Sequence, residues 1–105
     1  MMSEPHNKHE HKWAFDEEIR FKATARRNKL LGLWAASELG LAGPEAEDYA
    51  KAVVASDMKE PGEEDVFRKV QGDFRARSVA VPDEVLRRKM HEFSAQVRAE
   101  LEAGG

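Results

Sequence analysis

Leu86, Met90, Phe93, Val97 and Leu101 recur at steps of four, three, four and four residues in a stretch free of proline. That spacing stacks side chains on one face of an α-helix and does not fit the two-residue alternation of a strand. A helix with one apolar stripe cannot bury it alone, so the rest of the chain has to supply matching faces.

Glycine and proline mark where those faces divide. From about Phe15 to Leu39 strong helix formers dominate, and Ala23, Leu30, Leu31, Trp34, Ala35 and Leu39 fall at three- and four-residue steps until Gly40 ends the run. Gly43-Pro44-Glu45 then sets a proline at a first helical position with acids in the first turn, where orphan amides favour negative charge. Ala46, Tyr49, Ala50, Val53 and Asp57 form the second stripe. Pro61-Gly62 breaks the chain, Glu63, Glu64 and Asp65 load the next start with acids, and Val66, Phe67, Val70 and Phe74 recur at helical spacing. Ser78 to Pro82 reads as a loop and Asp83 as the N-cap of the last helix. The pattern predicts helices near 15–39, 44–57, 63–76 and 83–101. Val79-Ala80-Val81 alternates too briefly for a strand and runs into Pro82, which lacks a backbone donor.

The resulting expectation is an all-α, four-helix bundle with antiparallel neighbours, because the connections are short. Leu30, Trp34, Val53, Phe67, Val70, Met90, Phe93 and Val97 are expected to be buried together. A chain of 105 residues suits one domain, placed at 13–105, preceded by a flexible tail over 1–12 that has no periodic apolar face. Since the second and third helices are shorter than the first, the start of helix one is expected to protrude.

Several function classes are disfavoured. No cysteine is present, which removes disulfides, thiolate metal sites and cysteine nucleophiles. The apolar run Leu30 to Ala36 is far short of the ~20 residues of a membrane span, and the start MMSEPHNKHEHKW lacks the apolar core of a signal peptide. A cytoplasmic location without direct membrane insertion is the expectation. Residues 1–29 carry seven Lys/Arg against five Asp/Glu, whereas 30–105 carry ten against fifteen. A basic first quarter on an acidic body argues against a nucleic-acid partner and for a surface with one distinctive end.

Three clusters could carry chemistry. His6, His9 and His11 could hold zinc or nickel loosely, but structural zinc usually draws four ligands from ordered elements. The acids at Glu45–Asp48 and Glu60–Asp65 lack the alternating oxygen-ligand pattern of a calcium loop and are explained by helix starts. His91, Glu92 and Asp83 read as charged surface rather than acid–base groups. The expectation is therefore a protein that binds another protein, with no catalytic residues, no cofactor and no metal.

The stretch from Trp13 to Trp34 interleaves large apolar side chains with cations. At 100° per residue Phe21 lies near Ala25 and Asn28, away from the stripe of Leu30, Leu31 and Trp34, while Trp13, Phe15 and Ile19 come earlier, beyond the reach expected of the short partner helices. Lys12, Trp13, Phe15, Ile19, Arg20, Phe21, Lys22, Arg26 and Arg27 are the candidate partner-binding residues, because aromatic and arginine side chains dominate interface energetics. Folding back as a cap on the bundle is the competing structural role for the same aromatics.

The segments FKATARRNKLLGLWAASELGL (21–41), YAKAVVASD (49–57) and EPGEEDVFRKV (60–70) together resemble the zeta inhibitor subunit of alphaproteobacterial F-type ATP synthases. The likeness runs from Trp13 to Val97 in order. It implies a four-helix bundle, monomeric when free, that binds the catalytic head and central stalk of the ATP synthase and blocks ATP hydrolysis. The implied wedge covers Lys8 to Phe21, flexible when free and helical when inserted, with Ala25 to Leu31 joining it to the bundle. It also implies a peripheral place on the cytoplasmic side of the inner membrane. This chain departs from the family pattern at its start, where Pro5 restricts helix extension to its C-terminal side.

Two other readings compete. Arg26, Arg27 and Lys29 could attract phosphate in a weak adenine-nucleotide-binding regulator, although no glycine-rich cradle precedes a helix. A generic helical adaptor or homodimer could use the same aromatics.

Overall fold

The computed structural model describes residues 17–59 and 63–104. Four helices occupy them: α1 Glu17–Glu38, α2 Pro44–Lys59, α3 Glu63–Ala76 and α4 Asp83–Gly104. No strand occurs among the described residues, and no helix there is long and apolar enough to cross a membrane. The expected tail over 1–12, its histidines, and Trp13 and Phe15 lie outside the described residues.

Each helix stops for a local reason. At the end of α1, Gly40 adopts φ 81°, its N–H reaches the Ser37 carbonyl at 3.1 Å, and the Leu41 N–H reaches the Ala36 carbonyl at 2.8 Å. These bonds form a Schellman cap, whose left-handed residue favours glycine because a Cβ would crowd the next carbonyl. Helix α3 ends the same way with Ser78 in that position at φ 60°: its N–H bonds to Arg75 O at 3.1 Å and the Val79 N–H to Phe74 O at 2.8 Å. At the start of α4 the Pro82 carbonyl accepts from Val85 and Leu86, so Pro82 occupies the capping position. This corrects the expected N-cap. Asp83 is the first helical residue, and its carboxylate instead accepts from Gln71 Nε2 at 2.9 Å.

Neighbouring helices run antiparallel. Gly32 of α1 faces Ala50 and Val53 of α2, and Phe21 lies near Asp57. Arg87 of α4 pairs with Glu64 of α3 (2.8 Å), while Gln71 pairs with Asp83. Arg26 of α1 meets Glu100, and Trp34 meets Lys89, so α4 descends alongside α1. Helix α1 touches all three others. Leu31, Val53, Val66, Val70, Leu86 and Met90 pack at the centre, with Phe67, Phe74, Ala35 and Leu39 around them. Each fully buried large side chain contributes about 1.5–3 kcal/mol relative to exposure.

Of the residues expected in the core, Val53, Phe67, Val70, Met90 and Val97 are buried, whereas Leu30, Trp34 and Phe93 are half-buried. Trp34 packs edge-on against Phe74, with ring centroids 5.8 Å apart, and the Lys89 ammonium lies over its ring at 5.8 Å. For Leu30 and Trp34 the difference arises because α1 is covered from several directions, so its buried positions do not form one stripe. Ala36 and Asn28 are fully buried as well.

Candidate partner-binding surface

The first two turns of α1 interleave charged and apolar residues, with Glu17 and Glu18 leading and no apolar run until Leu30. Two sets of positions in that segment face different helices. Ile19, Ala23 and Arg27, spaced by four, turn toward α4 and border a groove of about 220 Å³ with Val97, Arg98 and Leu101. Ile19 is half-buried there, contrary to its expected place beyond the partner helices. Helix α4 is as long as α1, 22 residues, and its last turns reach the start of α1.

Phe21, Ala25 and Asn28 turn toward α2 and share a crevice with Val54 and Asp57. Here the expectation of an uncovered aromatic agrees with the structure, since Phe21 remains 58% exposed. The neighbouring cations Arg20 and Lys22 are exposed too, and Lys22 forms an i,i+4 ion pair with Glu18 at 3.5 Å. Such a surface pair is worth little and is readily exchanged for a partner.

Arg26 and Arg27 differ from these. Arg26 holds the Glu100 carboxylate with two bonds, Nε at 3.2 Å and Nη2 at 3.3 Å, tying α1 to α4. Arg26, followed by Gln96, keeps the Glu100 carboxyl below the usual glutamate range. Arg27 is only 9% exposed; its Nε donates to Asn28 Oδ1 at 2.7 Å and its Nη1 lies 3.7 Å from Glu63 Oε2 on α3. Of the described candidate partner-binding residues Arg27 is thus the buried one, its guanidinium lying between Asn28 and Glu63. Across the molecule Tyr49 donates to Asp73 at 2.7 Å, and burial with that bond raises its phenol above the ordinary range.

Among the described residues no group of three or more histidine, cysteine or acidic side chains comes together to hold a metal. His91 is exposed on α4.

The model of the family described as ATPase inhibitor subunit zeta matches residues 1–100 of this chain. The chain belongs to that family. A protein solved by solution NMR is similar to it at 45% identity, with a TM-score of 0.70, over 83% of this chain and 99% of that one. No curated protein matches.

For a zeta-family chain, the geometry gives physical content to the segments that carried the resemblance. In ARRNKLLG (25–32), Arg27 and Asn28 form a buried pair, Leu31 enters the core, and Gly32 lets α2 approach. This part of the motif builds the bundle. Phe21 and Lys22, just before it, are the exposed part.

Proposed function

We propose that this zeta-family chain binds the catalytic head of the F-type ATP synthase and blocks ATP hydrolysis with its N-terminal segment. In this reading the segment through Phe21 enters between catalytic subunits and the central stalk, with Trp13, Phe15 and Phe21 as anchors and Lys12, Arg20 and Lys22 meeting acidic surface. The free protein is a monomer of one domain, has no activity of its own, and acts at the cytoplasmic face of the membrane through the enzyme.

The observation that carries the reading is the division within α1. Phe21 is the large apolar side chain exposed among the described residues, flanked by exposed Arg20 and Lys22, while Arg26 and Arg27 fix the next turn to α4 and α3. An exposed aromatic beside cations on a secured helix has the character of an interface anchor. Ile19, seated against α4, serves as a support for the segment.

The test is hydrolysis by the purified catalytic head with and without this protein. Inhibition that saturates with added protein, and is lost on removing residues 1–16, is the expected outcome. Unchanged hydrolysis at concentrations where association is measured would refute inhibition.

A further inference from the structure

Helices α1 and α4 meet along two apolar rows, Ile19 with Ala23 and Val97 with Leu101, each pair spaced by four residues. The rows do not close on each other. Ala23 contributes only a methyl group, and a groove of about 220 Å³ remains between the helices. Val97 is buried, whereas Ile19, Ala23 and Leu101 stay half-buried along it.

Beside the apolar rows stand two polar ones at the same spacing: Arg20 with Thr24 on α1, and Ser94 with Arg98 on α4. Arg20 and Arg98 are exposed, and neither forms an ion pair or a side-chain hydrogen bond among the described residues. Arg27, the other cation of the wall, has Glu63 at 3.7 Å. Among the described residues no carboxylate lines the groove. Glu18 is held by Lys22, Glu100 is held by Arg26, and exposed Glu102 lies outside the wall. Other cations without an ion pair lack this setting. Lys29 and Lys51 share their hollow with Glu47, and Arg77 lies in the turn that follows α3. Like charges gathered without a counter-charge cost the free bundle a little, and an arriving carboxylate relieves them. The apolar floor adds a preference for an anion carried beside a hydrophobic side chain over a free, hydrated one.

We propose that the α1–α4 groove docks an acidic segment of the ATP synthase catalytic head, which sets an apolar side chain on Ile19, Ala23 and Leu101 and presents carboxylates to Arg20 and Arg98. Charge complementarity on both helices selects this occupant, and arginine suits the task because its planar fork takes a carboxylate with two parallel bonds. The proposal rests on the reading of the chain as an ATP synthase inhibitor and deepens it: the wedge draws its contacts from the segment through Phe21, whereas the groove brings α4 into the interface. Because the two arginines come from different helices, the bound segment also ties the start of α1 to α4.

The experiment measures affinity of the full chain for the purified catalytic head at low and high salt, wild type against Arg98→Glu. Arg98 is exposed and lies outside the N-terminal segment. Arg77→Glu, at another exposed arginine, makes the same change of charge away from the groove. The expected result is a loss of about tenfold for Arg98→Glu at low salt, smaller at high salt, with Arg98→Lys within about threefold of wild type. Arg77→Glu should bind as wild type, and the thermal midpoint of each free variant should stay within a few degrees. Should Arg98→Glu lose helical signal, Arg98→Gln carries the test, with an expected loss of about threefold. Equal losses in Arg98→Glu and Arg77→Glu assign the effect to net charge and overturn the groove. Unchanged affinity in folded Arg98→Glu, while the wild type binds and inhibits, also overturns it and leaves the wedge intact. Failure of the wild type to bind overturns the inhibitor reading and the groove's occupant with it. Tighter binding by Arg98→Glu assigns the groove to residues 1–16 of the chain itself, and a free dimer dissociated by that variant assigns it to a second copy; either overturns the proposal.

Discussion

A Cβ placed on Gly32 would lie 2.7 Å from the Cα of Ala50 and 3.2 Å from its Cβ. The nearest atom it meets is backbone, so no side chain can rotate away to relieve the contact. Helices α1 and α2 are therefore packed at a distance that only glycine at position 32 permits. Gly32→Ala gains about 1 kcal/mol of helix propensity but forces overpacking that costs about 1–3 kcal/mol, with the shift borne by the α1–α2 seam. A net loss of stability in urea unfolding is expected; a variant more stable than wild type would show that the two helices are free to separate.

Phe21→Ala separates binding from folding. At 58% exposure the ring contributes little to the bundle, and stability should stay within about 0.5 kcal/mol of wild type. If the ring is a desolvated anchor in the complex, affinity for the catalytic head should fall by about 1–3 kcal/mol. Thermal unfolding and titration of the same sample check both halves.

Arg27→Ala should do the reverse. It removes the donor to Asn28 Oδ1 and the contact with Glu63, and so leaves Asn28 with both ends of its amide unmet in the interior. Leaving such a buried acceptor without a partner costs about 1–3 kcal/mol. A stability change below a few tenths of a kcal/mol would show that water replaces the guanidinium.

The ion pairs predict a loss of stability in acid. Arg87, by its hydrogen bond, lowers the Glu64 carboxyl, and Arg26 with Gln96 lowers that of Glu100. A carboxyl depressed in the folded state binds fewer protons than in the unfolded chain. Its contribution is therefore complete above the ordinary value of about 4.3 and is lost as pH falls through the folded value. Unfolding curves from pH 7 to pH 2 should show this decline, and Glu100→Gln with Glu64→Gln should flatten it without altering its sign elsewhere. An unchanged acid limb in the double variant would assign the decline to other carboxylates.

Ser78→Gly should stabilise the end of α3. A residue with a side chain at φ 60° is strained by about 1–2 kcal/mol, part of which glycine returns as extra freedom in the unfolded chain. The net expectation is a gain of up to ~1 kcal/mol, read as a higher thermal midpoint.

The helices were legible because their signals are local. Pro44, the acids of Glu63–Asp65 and the spacing of Leu86, Met90, Phe93 and Val97 each act within a turn or two, and the four elements lie within a few residues of their expected bounds. What the sequence did not disclose depends on neighbours. Ile19 is covered by Leu101 of α4, more than eighty positions away, and no pattern within α1 announces that contact. Asn28 and Arg27 look like solvent-facing polar residues, yet each is polar enough to satisfy part of the other, which makes their burial tolerable. The Schellman cap at Ser78 was hidden for a similar reason: the residue type is unexceptional, and only Val79 docking on the core holds the turn closed. Within the candidate site, the exposure of Phe21 was readable from its angle on the helix, whereas the separate duties of Arg26 and Arg27 were not.

Helix α1 has no break between Glu17 and Glu38, about 33 Å at 1.5 Å per residue, and is secured at two heights: by Arg26 to Glu100 on one flank, and by Gly32 against Ala50 on another. Mechanically this makes it a doubly clamped beam whose first turn rests on α4 through Ile19. A sideways push at Phe21 meets leverage from the first clamp and counter-leverage from the second, so the load spreads into α4 and α2 instead of bending one turn. The bundle then works as ballast for whatever the exposed side of its first turns engages, and loosening either clamp would soften the beam without touching Phe21.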